Sequence, residues 1–268
     1  MGYRPTIKIL YLPIQKKTSL FEENINLKFP IFTGSNMKKI IILSVLIFSI
    51  ISCTKENEMR VQTTITGLQK GTVYLQKIQD TVLITLDSLV IDGKDETFTL
   101  TTEIDTPELF YIYIDKLDGI KYNDRITFFG EKGDITLDTH LNNMNQKVNI
   151  TGSKSNIIYQ NYVGTVKHIN TQIGQESMRL IQAQMSGDEE KIITTDKKTM
   201  QLMRSKYLRA IQFALQNRKS VVAAYIGARE IPEAQVVYLD SIYNGLSKKA
   251  KKSIYGLELA ALITERKK

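Results

Sequence analysis

The apolar residues of this chain recur with one period up to about Gly152 and with another from Ser153 onward, and that single change limits the architectures open to it. Before it, short segments at 61–65, 72–76, 81–91, 97–100, 109–114, 125–129, 134–137 and 147–150 are rich in β-branched and aromatic residues, which suit a pleated surface. Gly67, Gly71, Gly93, Gly119, Gly130 and Gly133 punctuate them. About eight short strands with regular turn signals predict an antiparallel β-sandwich or an open barrel. Within 109–114 both faces are apolar, so this strand is expected at the centre of its sheet and covered on each side.

From Ser153 the spacing is helical. Ile158, Tyr162, Val166, Ile169 and Ile173 advance by steps of four and three, which places them in one stripe. Ser186, with Glu189 three residues later, reads as the cap of a second helix whose buried face continues through Met203, Tyr207, Ile211 and Leu215. Pro232 suits the first turn of another helix, ending near Asn244-Gly245. A last helix is expected from about 248 to 265, with Leu259, Leu262 and Ile263 as packing residues. The fold class is therefore α+β: a β-sandwich domain over 60–152, then a helical region over 153–268, packed on one sheet face or standing as a separate bundle.

Upstream of both lies a different signal. Met37-Lys38-Lys39 precedes a run from Ile40 to Ile51 that is apolar except for Ser44 and Ser49, followed by Ser52 and Cys53. A basic start, an apolar run and a small residue make up the anatomy of a signal peptide. As a helix the run reaches about 18 Å, short of the roughly 30 Å hydrocarbon layer, so removal is expected rather than a permanent span. Ile50-Ile51-Ser52-Cys53 resembles the bacterial lipobox. That resemblance implies cleavage between Ser52 and Cys53, and lipidation of Cys53 as the first mature residue. The organisation then reads as a domain-free extension over 1–36, a signal peptide over 37–52 and a tether over 53–59. Met37 is the expected initiator, with a cytoplasmic tail or longer signal region as the alternative for 1–36. In the tether, Lys55-Glu56-Asn57-Glu58 loosely resembles a surface-transport signal, and equally suits a solvated linker.

The charge argument changes accordingly. Residues 1–36 carry a net three positive charges and 37–52 two more, so of the +8 total only +3 remains beyond Ser52. That is ordinary, and nucleic acid is not an expected partner. The expected partners are a membrane, through the lipid anchor, and a protein of the cell envelope, in an outer-membrane, periplasmic or surface setting.

Five segments taken in order carry a second resemblance: 71–75, 86–93, 107–114, 128–135 and 150–153. Together they are similar to a domain of unknown function (number 4369). In that family the domain and the helices behind it precede the thioredoxin-like domain of membrane-anchored thiol–disulfide oxidoreductases, and the likeness spans roughly 59–265. The redox activity is not implied here. Exchange needs one thiolate to attack and a second thiol to resolve the mixed disulfide, and Cys53 is the single cysteine.

Other chemistry is thinly represented. His140 in a polar loop and His168 on the first helix lack a second histidine at ligand spacing. Gly130-Glu131-Lys132-Gly133 reads as a turn rather than a phosphate loop, and Asp188-Glu189-Glu190 as helix-start acids rather than a cation site. Lys248, Lys249, Lys251, Lys252 and the terminal Arg266-Lys267-Lys268 suit a solvated face or an anionic lipid surface. Tyr111 and Tyr113 suit the core, or stacking on a ligand if one sheet face is open. No catalytic, cofactor or metal residue is assigned. The expected function is a non-catalytic binding or scaffold module of the cell envelope. The alternatives are an accessory partner of a separately encoded thiol–disulfide oxidoreductase, or an enzyme without a recognisable motif.

Overall fold

The computed structural model describes residues 57–79, 81–93, 96–116, 125–144 and 147–268. Strands β1 (Glu58–Thr66), β2 (Gly71–Gln79), β3 (Val82–Ile91), β4 (Thr97–Glu103), β5 (Glu108–Asp115), β6 (Arg125–Gly130), β7 (Gly133–His140) and β8 (Asn149–Thr151) form two four-stranded sheets. Their orders are β4-β1-β7-β8 and β3-β2-β5-β6. The expected α+β class and unclosed sandwich are what the chain forms. Alternation is cleanest in β1, where Met59, Val61, Thr63 and Ile65 are buried and the residues between them are not. Val73, Leu75, Ile112, Ile114, Phe128, Ile135 and Leu137 complete the layer between the sheets.

One pair departs from the antiparallel expectation. β1 and β7 run parallel, with Val61 opposite Ile135 and Thr63 opposite Leu137. No tight turn joins them, because the chain traverses the other sheet in between, so nothing local forces opposite directions.

The sandwich has two open sides, and they are closed differently. On one side, the Asp87 carboxylate of edge strand β3 accepts the Thr101 N–H of edge strand β4 at 2.8 Å, which ties one sheet to the other. On the other side lie the edges β6 and β8, and there the helical region docks.

The helices are α1 (Lys154–Ser186), α2 (Glu189–Gln216), α3 (Val221–Tyr225), α4 (Val236–Gly245), α5 (Lys248–Lys251) and α6 (Ile254–Arg266), with a π-helical turn at Ile226–Glu230 following α3. α1 and α2 pair as a long antiparallel hairpin. Tyr162, Val166 and Ile169 face inward as their spacing predicts, and further out Glu176 accepts Arg179 at 2.7 Å and Lys198 of α2 at 2.6 Å. Leu259 and Ile263 are buried and Leu262 half-buried, also as expected.

Several helix boundaries differ from the sequence expectation. Ser186 ends α1, Gly187 takes the left-handed conformation at φ 66°, and Asp188 caps α2 by accepting Lys191 N–H at 3.1 Å. Glu189 and Glu190 do occupy the first turn. α4 begins at Val236, because Pro232 lies in the turn before it. The expected helix over 248–265 is two helices. Ser253 Oγ donates to Ala250 O at 2.6 Å and accepts Gly256 N–H at 3.2 Å, so it stops one helix and starts the next. On α2, Ala210 and Ala214 take the buried positions beside Ile211, while Leu215 is left exposed and Met203 and Tyr207 only partly covered.

Phe128 and Phe129 join the two parts. Neighbouring residues of a strand point to opposite faces, so Phe128 enters the sandwich core and Phe129 the helical core. Phe129→Ala is expected to cost about 3–5 kcal/mol in denaturant unfolding. Met185→Ala, at a position 84% exposed on the outer hairpin, is expected to stay within about 0.5 kcal/mol.

Candidate functional site

β6 is an edge strand, and edges leave backbone groups in search of partners. At Phe129 the partners come from α1. Ser153 Oγ donates to Phe129 O at 2.7 Å, and Phe129 N–H donates to Asn156 Oδ1 at 3.0 Å. The same Ser153 oxygen caps α1 by accepting Asn156 N–H at 2.9 Å. Glu131, just past β6, adds its carboxylate, which accepts Lys154 N–H at 2.5 Å and Ser155 Oγ–H at 2.7 Å. The helix start and the strand edge thus satisfy one another. A parallel substitution holds β5, where Leu109 N–H donates to the Tyr255 hydroxyl of α6 at 3.0 Å.

Because both backbone groups of Phe129 point away from β5, those of Thr127 and Arg125 also do, by the alternation of an antiparallel pair. Beside them an open groove of about 700 Å³ runs between β6 and α1. Ile150, on the edge strand β8 of the other sheet, forms its far wall with Met144 and Val148 of the segment leading into that strand. Asn149 and, from α1, Asn156, Gln160 and Asn161 bring amides to it. Arg125 is the one charged side chain among the described residues that line it. Its guanidinium lies over the rings of Tyr111 and Tyr113, 5.6 and 5.5 Å from their centroids.

The groove rests on an aromatic cluster. The Phe129 ring meets Tyr159, Tyr225 and Tyr255 at 5.8, 5.6 and 5.9 Å. The π-helical turn carries Glu230 to this cluster, where its carboxylate accepts the Tyr225 hydroxyl at 2.9 Å and the Tyr162 hydroxyl at 3.2 Å. Arg229 of the same turn makes a two-pronged pair with Glu258 at 2.7 and 2.6 Å. Burial, reinforced by the charge of Glu230, pushes the Tyr159 hydroxyl up to about 12. The Tyr162 and Tyr225 hydroxyls move further in the same direction for the same reasons. Burial also raises Tyr255, partly offset by the hydrogen bond from Leu109.

Residues marked out by the sequence fall elsewhere. Ser52 and Cys53, with the signal segment 37–52, lie outside the described residues. His140 is exposed at the end of β7 rather than in a loop, and His168 is exposed on α1. Tyr111 and Tyr113 are half-buried on the outer face of β5, so only Leu109 of that face is covered by the helical core. Among the basic clusters, Arg266 donates to the carbonyls of Pro232 and Ala234, Lys267 pairs with Asp240 at 2.6 Å, and Lys251 sits 4.9 Å from the Tyr243 ring. Ser153, Asn156, Arg125 and Glu230 were not singled out by chemistry. Ser153 alone carried a local signal, as a cap residue directly before a helical period. Among the described residues no cluster of three or more His, Cys, Asp or Glu is placed to hold a metal ion, and no helix is long and apolar enough to cross a membrane.

Residues 59–159 match the family model described as Domain of unknown function (DUF4369), and over that stretch the chain carries this domain. The match runs past the sandwich to Tyr159, so it includes Ser153 and Asn156, the residues that hold the edge of β6. The helices beyond Tyr159, which the sequence resemblance also embraced, lie outside the matched stretch. No curated protein and no solved structure matches the chain.

Two outcomes test this geometry. Asn156→Ala leaves Phe129 N–H unsatisfied in a buried place and is expected to cost about 1–3 kcal/mol in chemical denaturation, whereas Asn156→Asp, which keeps an acceptor, costs less. Alkaline pH acts on the tyrosines. Their folded-state values are raised, so the unfolded chain loses its phenolic protons first. The stability they contribute is complete below pH 10.0, falls as pH rises above it, and for Tyr159 is lost by about 12. Thermal melts across that range, with ultraviolet titration of phenolate, should show these hydroxyls ionising together with unfolding.

Proposed function

We propose that this protein is a non-catalytic binding module of the cell envelope, tethered to a membrane through lipidated Cys53 and recognising its partner in the groove between β6 and α1. The observation that carries the binding half is the groove itself: an open cleft along a strand edge, with amides and aliphatic side chains around one guanidinium. Amides and aliphatic groups position a ligand and do not exchange protons near neutral pH, which favours recognition over turnover. Support for the tether comes from the order of basic residues, apolar run, Ser52 and Cys53. Each acyl methylene buried in a bilayer contributes about 0.8 kcal/mol, and stable anchoring takes two chains, as the lipobox resemblance implies.

Metabolic labelling of cells with a clickable fatty acid tests the tether. Label should enter the wild-type chain and be lost in Cys53→Ala, with the wild type in the membrane fraction. Undiminished label in the variant overturns the anchor.

A further inference from the structure

We propose that the groove takes an extended acidic peptide, which adds to β6 as a fifth strand of its sheet. This rests on the reading of the groove as the binding site, and specifies what occupies it.

The backbone geometry is the starting point. The outward groups of Phe129 are already taken by Ser153 and Asn156, so the edge is closed at that end. Two residues away, the N–H and C=O of Thr127 point into the groove, and no described residue bonds to them. A donor and an acceptor on one residue of an open edge are what an incoming strand pairs with, exchanging both bonds with a single residue if it runs antiparallel. The side chains of such a strand would alternate between two surroundings. Those sharing a face with buried Ile126 meet Met144, Val148 and Ile150. Those sharing a face with Arg125 run beside its side chain, and a carboxylate on that face reaches across β6 to the guanidinium over Tyr111 and Tyr113.

Charge complementarity sets the second requirement. The described lining contains no carboxylate, and its one charge is positive and held against two tyrosine rings. A guanidinium so placed pairs with a carboxylate in a two-pronged geometry. The occupant is therefore a strand with apolar residues at alternate positions, and an aspartate, a glutamate or its own carboxyl terminus beside Arg125.

The test begins with selection of a randomised decapeptide library on phage against the purified full chain. Enriched peptides should alternate apolar and polar residues and carry a carboxylate. Resynthesised, they should bind at least about tenfold more weakly once alternate backbone nitrogens are methylated, the loss expected from removing one or two hydrogen bonds. Thr127→Pro should weaken binding similarly, since it removes an N–H that β5 does not use, and a melting curve checks that it folds. Arg125→Gln should abolish the preference for acid. Equal affinity of methylated and unmethylated peptides, or an unchanged Thr127→Pro, overturns strand addition, as does failure of any peptide to enrich. Gln160→Trp separates the two levels, because it fills the groove from α1. Binding lost in Gln160→Trp but indifferent to backbone methylation leaves the groove standing without strand addition, whereas binding that survives Gln160→Trp removes the groove itself.

Discussion

Everything in this molecule turns on how the edge of β6 is held at Phe129. Its ring is committed to the helical core, against Tyr159, Tyr225 and Tyr255, while its neighbour Phe128 is committed to the sandwich. Its N–H and C=O, which an edge strand would otherwise expose, are taken by Asn156 and Ser153 at the start of α1. One residue thereby fixes strand, helix and both cores in mutual register. An aromatic side chain carries the apolar area for this, and a buried amide cannot go unpaired without cost, so the two requirements reinforce each other.

The groove follows from that arrangement. A sandwich has two open sides, and here β3 and β4 are joined directly through Asp87, whereas β6 and β8 are bridged by a helix that meets only the far end of β6. Beyond the bonds at Phe129 the strand edge and α1 part, and the groove opens between them. The space left behind is bordered by backbone on one side and by α1 on the other. Tyr162 and Tyr225 of the adjoining aromatic cluster are linked through Glu230.

Much of the architecture was readable from short-range pattern. Eight strands, the helical stripe at Tyr162, Val166 and Ile169, and the packing of Leu259 and Ile263 all follow from the spacing of apolar residues. Where helix boundaries depart from that pattern, a local competitor decides. Gly187 could adopt the left-handed conformation and end α1, which moved the cap from Ser186 to Asp188. Ser253 could bond in both directions and divide one expected helix into two. The candidate site was much less visible. Arg125, Asn156 and Glu230 are ordinary polar residues in the sequence, and their roles depend on partners brought close by folding: Phe129 for Asn156, Tyr162 as well as nearby Tyr225 for Glu230, and two rings of the neighbouring strand for Arg125.

The sequence by itself determined the two periods, the change between them at Ser153, and hence the class of fold. These depend on backbone geometry repeated every two or every three to four residues, which neighbouring side chains reveal. Tertiary structure alone decided that β1 and β7 run parallel, that Phe129 leaves the sandwich for the helical core, and that Thr127 faces an open cleft. Those outcomes depend on which edges meet after the chain has folded back on itself, and backbone groups at an edge are chemically identical along the whole chain. Only their burial, and the distance to the next partner, distinguishes a satisfied edge from one that can receive another strand.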